Sequence, residues 1–310
     1  MAALLTHSVP IVDGLVPEEP SYAEWPKITL LTPALNSARY IEDTIRSVIY
    51  QGYPNLEYII VDGGSTDGTV EIIRKYEKHL SWWVSEPDKG MYDALNKGYA
   101  RSSGEIMGWI SATDMLHQGS LKVVGGVLRA FPQIEWITGL PTGLNEQGMT
   151  VRVGQLKRFS QKRFLSGANR YIQQESTFWR RSLWDRAGGY VDASRKIASD
   201  FELWVRFFHH ARLYPVNALI GGYRSHGDSL GLQDLERCHR IHEEIINAEL
   251  ESLRWGRVLK VIRRLCITMQ EAPTLGKLWW PLVMRHLYFR AGPDSPPVIE
   301  SWKDKWVMQR

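Results

Sequence analysis

Acidic side chains follow two apolar, strand-like runs of this sequence, where they could hold a metal ion or move a proton. Asp62 follows the run from residue 56 to 61, and Asp114 ends the run from Met107. Asp88, Asp93 and Asn96 lie around one turn between a strand-like and a helix-like segment. In proteins that alternate strands and helices, carboxylates at strand ends point into the ligand-binding crevice. The pattern predicts an enzyme that binds an activated nucleotide through a divalent cation.

No glycine-rich phosphate loop accompanies these acids. The sequence has no Gly-x-Gly-x-x-Gly after its first strand-like run and no Gly-Lys-Ser/Thr loop. A divalent cation on one or two carboxylates can neutralise a diphosphate instead. Asp114 is the expected holder, and the alternative is that it caps a helix near 115–131. For Asp62 the alternative is a tight turn in which Asp67 or Ser65 caps the next helix.

Strand-like and helix-like segments alternate over the first 131 residues and must position these side chains. Such alternation predicts an α/β fold with a mostly parallel sheet and helices on both faces. We expect strands at 27–32 (stopped by Pro33), 56–61, 82–85 and 105–111, and helices at 41–49, 69–79, 91–101 and 120–131.

The rhythm changes after about residue 140. Gly139, Pro141, Gly143 and Gly148 predict a loop or hairpin. We expect a strand at 173–179, a helix at 200–208, a strand at 212–219 that leads into a glycine-bounded loop, and helices from 231 to the end.

Composition is that of an ordinary globular protein. The 310 residues are 44% hydrophobic and 23% charged, with a formal net charge of +4. Cys238 and Cys266 have no metal-site spacing, and no cleavable signal is evident, which favours a cytoplasmic setting. No apolar run approaches the roughly 20 residues that span a bilayer.

Basic residues are concentrated near the C-terminus. The segment from Arg254 to Arg290 contains eight Lys or Arg residues but only one acid, Glu271, and Trp279-Trp280 follows an apolar run. This pattern is typical of a helix on a membrane surface. A helix packed on its own domain with a solvated basic face is the other interpretation, and both stay open. Nucleic-acid binding is disfavoured because no recognised motif accompanies the charge.

Several separate motifs resemble those of family 2 of the inverting glycosyltransferases, which have the GT-A fold. The resemblance covers about residues 26–230 in the family's order. It rests on Thr32-Pro-Ala-Leu-Asn36, Val61-Asp-Gly-Gly-Ser-Thr-Asp-Gly-Thr69, Ser85-Glu-Pro-Asp-Lys-Gly-Met-Tyr-Asp-Ala-Leu-Asn-Lys-Gly98, Trp109-Ile-Ser-Ala-Thr-Asp114, Gln174-Glu-Ser-Thr-Phe-Trp179 and Ala198-Ser-Asp-Phe-Glu-Leu-Trp204.

The resemblance implies a role for each matching position. Asp114 matches the last acid of the metal-binding signature, and Asp200 matches the general base. His226 resembles a late histidine that reaches the metal or the diphosphate. The alternatives are a helix cap at Asp200, with Ser199 as the competing cap, and a structural role for His226. The expected nucleotide-sugar-binding residues are Thr32, Pro33, Asn36, Asp62, Asp88, Lys89, Gly90, Asp93, Asn96 and Thr113.

One departure from the family pattern concerns the metal. Many relatives have two adjacent acids where this chain has Thr113-Asp114, so cation affinity is expected to be weaker. The expected cofactor is Mg²⁺ or Mn²⁺, which would stabilise the leaving diphosphate.

The resulting hypothesis is an inverting transferase that moves a sugar from a nucleotide-diphosphate donor, UDP by family frequency, to a hydroxyl of a glycan or lipid-linked acceptor. Peripheral contact with the inner face of the membrane is expected through 254–290. A sugar nucleotidyltransferase and a non-catalytic nucleotide-binding scaffold are the rival hypotheses. The expected segments are a lead-in at 1–24, a nucleotide-sugar half at 25–115, an acceptor half with the base at 116–230 and a basic helical extension at 231–310.

Overall fold

A computed structural model of the chain describes residues 25–167, 171–227, 235–254, 256–257, 260–261, 263, 296–302 and 305–309. The expected lead-in at 1–24 and most of the basic C-terminal stretch lie outside the described residues. Eleven strands and eight helices are present in the described part. The strands are β1 (Ile28–Ala34), β2 (Leu56–Asp62), β3 (Trp82–Ser85), β4 (Ile106–Trp109), β5 (Met115–Leu116), β6 (Trp136–Leu144), β7 (Thr150–Val153), β8 (Thr177–Arg180), β9 (Tyr214–Arg224), β10 (Val298–Trp302) and β11 (Lys305–Gln309).

The helices fall between the strands as the alternating pattern predicts in the first half of the chain. Short 3₁₀ turns follow the second helix at Glu77–His79 and precede β8 at Gln174–Ser176. The helices are α1 (Ile41–Ile49), α2 (Thr69–Lys75), α3 (Met91–Tyr99), α4 (Ser120–Ala130), α5 (Gln161–Leu165), α6 (Arg181–Arg186), α7 (Ser199–Phe208) and α8 (Leu235–Ser252).

One mixed sheet joins all the strands in the order β11-β10-β9-β6-β8-β4-β1-β2-β3, with β5 added to β9 and β7 added to β6. Strands β4, β1, β2 and β3 run parallel to one another. Strand β8 is antiparallel to both β4 and β6, and β6 is parallel to β9. The carboxyl ends of β1, β2, β3 and β4 therefore meet at one edge, where ligands bind in such sheets.

The two faces of the sheet bury separate cores, because side chains alternate along each strand. Leu31, Ile59 and Met107 point to the face covered by α3, α7 and α8, where Trp109 and Trp204 stack at 5.8 Å. Residues one position away, such as Ile60, face α1 and α4. Trp179, Trp184 and Trp204 lie in these cores, and Trp82 and Trp83 pack against them.

Strand β1 does not stop at Pro33 as predicted. It continues to Ala34, and Pro33 pairs with Val61 of β2. Pairing with β4 ends at Leu31, so the missing amide of the proline falls where one side of the strand has no ladder partner.

The second half differs more from the prediction. Strand β9 extends to Arg224 and includes Gly221 and Gly222, because they pair with β5 and β6. The segment before Thr177 is a 3₁₀ turn rather than a strand. Residues 298–302 and 305–309 form an antiparallel hairpin on the edge of the sheet, not helix. Among the described residues, no helix is long and apolar enough to cross a membrane.

Candidate active site

The turn that carries Asp114 is held from two sides. The Thr44 hydroxyl of α1 donates to the carbonyl oxygens of Ala112 and Asp114 at 3.0 and 2.7 Å. The backbone amide of Arg224 donates to Oδ1 of Asp114 at 2.8 Å. Asp114 is only 2% exposed, and the next residues form β5 rather than a helix. Asp114 therefore does not cap a helix and presents a buried carboxylate at the end of the parallel strands.

Asp62 organises the turn after β2. Its Oδ2 accepts hydrogen bonds from the amides of Gly64 and Ser65 and from the Ser85 hydroxyl of β3. Its Oδ1 accepts from the Ser65 hydroxyl, and the side chain is fully buried. Asp62 thus shapes the crevice by joining the ends of β2 and β3. The cap position of α2 is Gly68, not Asp67 or Ser65, and Asp67 accepts hydrogen bonds from the amide and hydroxyl of Thr69, the first residue of α2.

Two other predicted ligand contacts have their polar atoms occupied within the protein. The Thr32 hydroxyl is buried and lies 3.0 Å from the Tyr58 hydroxyl in the core. The Asn96 amide group donates to the carbonyl of Val191 and accepts from the Val191 amide. In the structure these bonds stabilise the crevice, and a contact of either side chain with the ligand stays a prediction.

The remaining predicted nucleotide contacts lie along the crevice edge. Asp88 packs against Gly63, where an added Cβ would come within 2.8 Å of Oδ2, and it accepts from the Gly90 amide. Asp93 accepts from the Lys89 amide. The predicted positions that are exposed or half-exposed are Asn36, Asp88, Lys89, Gly90, Asp93, Asn96 and Thr113, whereas Pro33 is buried in β1.

Asp200 lies in the first turn of α7, which begins at Ser199 after Ala198. Neither Ser199 nor Asp200 is the cap, contrary to the alternative interpretation. Desolvation raises the pKa of Asp200, while hydrogen bonds from the Phe201 amide, its own amide and the Tyr92 hydroxyl oppose that shift. The Tyr92 hydroxyl also accepts from the Ser199 amide at 3.2 Å. The Asp200 side chain is half-buried, so a ligand in the cleft can reach it.

Glu175 is a third carboxylate between Asp114 and Asp200 that the sequence analysis missed as a site residue. It is 4% exposed and accepts from the Gln173 amide group at 2.5 Å. Desolvation, with a smaller contribution from the charge of Asp200, raises its pKa to about 7. Desolvation and the charge of Glu175 raise the pKa of Asp114 well above its usual range. The signal was present, since Glu175 is the only acid in the run from 173 to 179.

His226 lies two residues beyond the end of β9. Its ring contacts Tyr40 at a tilt of 42° with 4.9 Å between ring centroids, and the Arg224 guanidinium lies over the same Tyr40 ring at 4.9 Å. Arg224 is 1% exposed and bonds to Asp43 and to the carbonyl of Glu146. The same strand end thus carries His226 and the amide that holds Asp114.

The cluster of Asp114, Glu175 and Asp200 fits a divalent cation that is coordinated mainly by phosphate oxygens of a bound nucleotide. Desolvation raises the pKa values of Asp114, Glu175 and Asp200, and a bound cation would oppose that shift by favouring their ionised forms. In the part of the chain that is described, no three His, Cys, Asp or Glu side chains are arranged to hold a metal together. Mg²⁺ and Mn²⁺ sites built from one or two carboxylates plus phosphate oxygens need no such group.

Comparison with known proteins gives the family. The model of Glycosyl transferase family 2 matches residues 29–130. An uncharacterized glycosyltransferase of Mycobacterium tuberculosis strain H37Rv is 31% identical over 183 residues, which cover 58% of this chain and 68% of that relative. The chain belongs to glycosyltransferase family 2. The glycosyltransferase is also 36% identical over 100 residues to the putative teichuronic acid biosynthesis glycosyltransferase TuaG of Bacillus subtilis, covering 31% of this chain and 40% of TuaG.

Solved structures agree on the fold of the glycosyltransferase. The crystal structure of S. aureus TarS 1–349 with UDP-GlcNAc has a TM-score of 0.58 at 18% identity, covering 74% of this chain and 67% of that one. Mannosyltransferase PcManGT from Pyrobaculum calidifontis, in complex with GDP-Man and Mn²⁺, has a TM-score of 0.53 at 17% identity, covering 88% and 90%. The expected GT-A fold is confirmed.

Proposed function

We propose that this glycosyltransferase inverts the anomeric centre of a sugar that it moves from a UDP-sugar to an acceptor hydroxyl. One observation carries the proposal. The charge of Asp200 contributes to the raised pKa of Glu175, and the charge of Glu175 contributes to the raised pKa of Asp114, which supports a common cleft for the expected cation-binding acid and the expected base. Two acids on opposite sides of the molecule could not act on one substrate.

The reaction assigned to this cleft needs one base. The acceptor oxygen attacks the anomeric carbon from the face opposite the nucleotide, and the bond from that carbon to the diphosphate oxygen breaks. The diphosphate leaves with the electron pair, and the acceptor proton passes to the Asp200 carboxylate. A positioned general base contributes about 10²–10⁴-fold to such a step. The half-buried carboxylate of Asp200 and its raised pKa suit that role.

Asp114, with His226 as a candidate second ligand, would hold Mg²⁺ or Mn²⁺ beside the diphosphate. When bound, the cation would neutralise the charge that develops on the leaving group. The Arg224 amide fixes one Asp114 oxygen, and this orients the carboxylate before any ligand arrives. The Mn²⁺ in the PcManGT complex supports a metal-assisted reaction here.

The donor and acceptor assignments rest on similar proteins. UDP-GlcNAc in the TarS complex supports a UDP-sugar donor, and the name of TuaG supports a growing surface polysaccharide or lipid-linked glycan as acceptor. Such an acceptor favours a cytoplasmic enzyme that contacts the inner face of the membrane. The basic stretch at 254–290, expected to make that contact, lies mostly outside the described residues.

Donor hydrolysis and ligand-induced thermal shifts test the proposal together. We expect a UDP-sugar plus Mn²⁺ to raise the melting temperature more than the matching GDP- or dTDP-sugar, and to be hydrolysed slowly without acceptor. Asp200→Asn should abolish hydrolysis and keep the thermal shift. Nucleotide binding without turnover for any sugar would favour the non-catalytic scaffold, and release of pyrophosphate from a sugar phosphate and UTP would favour the nucleotidyltransferase.

A further inference from the structure

Strand β7 and the residue before it expose apolar side chains that are not in the cores of the described residues. Met149, Val151 and Val153 alternate along the strand and its approach, and they are 60%, 66% and 53% exposed. Every residue of β7 is exposed, and within the described residues the strand pairs only with β6. Alternation along a strand places these three side chains on the same side. They form an apolar stripe on a two-stranded ribbon that projects from the sheet.

The segment that contains this stripe is basic in sequence. Residues 147–174, which follow Glu146, contain six basic residues and no acid, and the described ones are Arg152, Lys157, Arg158, Lys162 and Arg163. Arg152 lies within β7, and both Arg152 and Lys157 are exposed. An exposed apolar stripe flanked by cations matches the apolar interior and anionic headgroups of a bilayer surface.

The ribbon adjoins the candidate active site. The carbonyl of Glu146, in the β6–β7 turn, accepts a hydrogen bond from the Arg224 side chain at 2.9 Å. At Gly148 an added Cβ would lie 3.3 Å from the same guanidinium and 2.7 Å from the sulfur of Met115. Met115 follows Asp114 directly, and the Arg224 amide binds Asp114. A bilayer that binds the ribbon would therefore lie close to the candidate active site.

We propose that the β6–β7 hairpin, residues 136–153, docks on an anionic lipid bilayer through Met149, Val151 and Val153, with Lys157 contacting the headgroups and the long Arg152 side chain reaching them from the other side of β7. A soluble acidic glycan fits less well, because it would leave the three apolar side chains in water. The docking deepens the proposed function, since it would bring a lipid-linked hydroxyl to the cleft. Vesicle binding itself is independent of turnover, so the two proposals can fail separately.

Flotation of the full chain with vesicles tests the docking. Phosphatidylcholine vesicles with and without phosphatidylglycerol are compared, and donor hydrolysis is measured without vesicles for each variant. The apolar variant is M149S/V151S/V153S, and the charge variant is R152Q/K157Q. Their matched controls are Tyr50→Ser, which removes an equally exposed apolar side chain, and R74Q/K78Q, which removes two exposed charges at or near the end of α2.

We expect wild type to bind the vesicles that contain phosphatidylglycerol more tightly than those without it. Each neutralised cation should lower the partition coefficient about fivefold. The apolar variant should lower it on the order of tenfold or more. The controls should bind like wild type, and hydrolysis should not change. All five positions are exposed, so melting temperatures should agree; if the triple variant melts early, Val151→Ser alone decides the apolar contribution.

Four results would overturn the docking. Wild type could fail to bind the anionic vesicles, or both hairpin variants could bind like wild type. Vesicle binding could be lost only in the double variant R254Q/R257Q, which would place the membrane contact in the basic C-terminal stretch. Soluble heparin could displace wild type completely from the vesicles while the apolar variant binds the vesicles like wild type, which would identify a surface for polyanions instead.

Discussion

The backbone amide of Arg224 donates a hydrogen bond of 2.8 Å to the carboxylate of Asp114, across 110 residues of sequence. This bond joins the end of β9 to the turn that follows β4, so the two halves of the fold meet at the expected metal ligand. The Arg224 side chain extends the connection, because its guanidinium reaches Asp43 on α1 and the carbonyl of Glu146 in the β6–β7 turn.

Replacing Arg224 by Met should lower the free energy of unfolding by about 1–3 kcal/mol, because the carbonyl of Glu146 loses a buried donor. Asp43 is 48% exposed and can be hydrated again, which keeps the loss below that of a fully buried ion pair. Denaturant titration measures the change. Arg39→Met is the control: Arg39 also pairs with Glu146 but is 65% exposed, so its loss should be within about 1 kcal/mol. Equal losses for both variants would contradict the role of Arg224.

The sequence predicted the parallel half of the fold because each element there carries its own local signal. Strand β2 is a continuous apolar run, and α1 shows helical spacing from Ile41 to Ile49. The hairpin at 298–309 gives a weaker signal, since β10 pairs with β9, more than 70 residues earlier in the chain. Gly221 and Gly222 suggested a loop, yet they stand in β9 because Gly221 must pass close to the Glu175 carbonyl, 2.1 Å from an added Cβ.

Changing Asp200 to Asn should lower kcat by about 10²–10⁴-fold, because the acceptor proton would lose its base. Donor affinity should stay near wild type, since Asn keeps the size of the side chain. Initial rates of transfer and titration with UDP check the two parts. Asp185→Asn, an exposed acid on α6, serves as the control and should leave both unchanged. An unaltered transfer rate in Asp200→Asn would remove the general-base assignment.

Changing Tyr92 to Phe should move the acid limb of the kcat/KM profile to higher pH. Desolvation raises the pKa of Asp200, and the hydrogen bond from the Tyr92 hydroxyl lowers it. Without that bond, Asp200 binds its proton more tightly and becomes an active base only at higher pH. As the pH falls, wild type should itself begin to lose activity at a pH above 3.8, the ordinary pKa of aspartate, because the pKa of Asp200 is raised. A limb that moves to lower pH, or does not move, would argue against Asp200 as the titrating base.

Changing Thr113 to Asp should raise the affinity for Mn²⁺ in the presence of UDP by on the order of tenfold, because it adds a second carboxylate next to Asp114. Calorimetric titration of Mn²⁺ into the UDP complex measures this. Thr113→Asn has nearly the same shape without the charge and should bind Mn²⁺ like wild type. If both variants bind alike, Thr113 is not beside the cation.

Local sequence pattern identified Asp62, Asp114 and Asp200 as candidate site acids, but it did not identify Glu175 or the contacts that each acid makes. Asp114 and Asp200 stand at element boundaries, where pattern places them well. Asn96 bonds to the backbone of Val191, 95 residues away, and Asp62 accepts from the Ser85 hydroxyl of β3 as well as from its own turn, so these contacts depend on the tertiary fold. Glu175 lies in the 3₁₀ turn before β8 and is buried against Gly221 of β9, a contact that local pattern does not predict.

Changing Glu175 to Gln should stabilise the metal-free protein at pH 8 more than at pH 5. Burial raises the pKa of Glu175 from 4.5 to about 7, so between these values the folded chain binds more protons than the unfolded chain. The free energy of unfolding therefore falls as the pH rises through this window, by on the order of 2–3 kcal/mol. Gln keeps the acceptor for Gln173 without the charge. Thermal unfolding in the presence of a chelator measures the effect.

The control is Glu57→Gln, where burial raises the pKa but hydrogen bonds from Lys27, Thr29 and Ser103 lower it to about 2. Its destabilisation should be equal at both pH values, because its window lies below pH 5. An equal effect of Glu175→Gln at pH 5 and pH 8 would show that Glu175 is not a strained, buried acid.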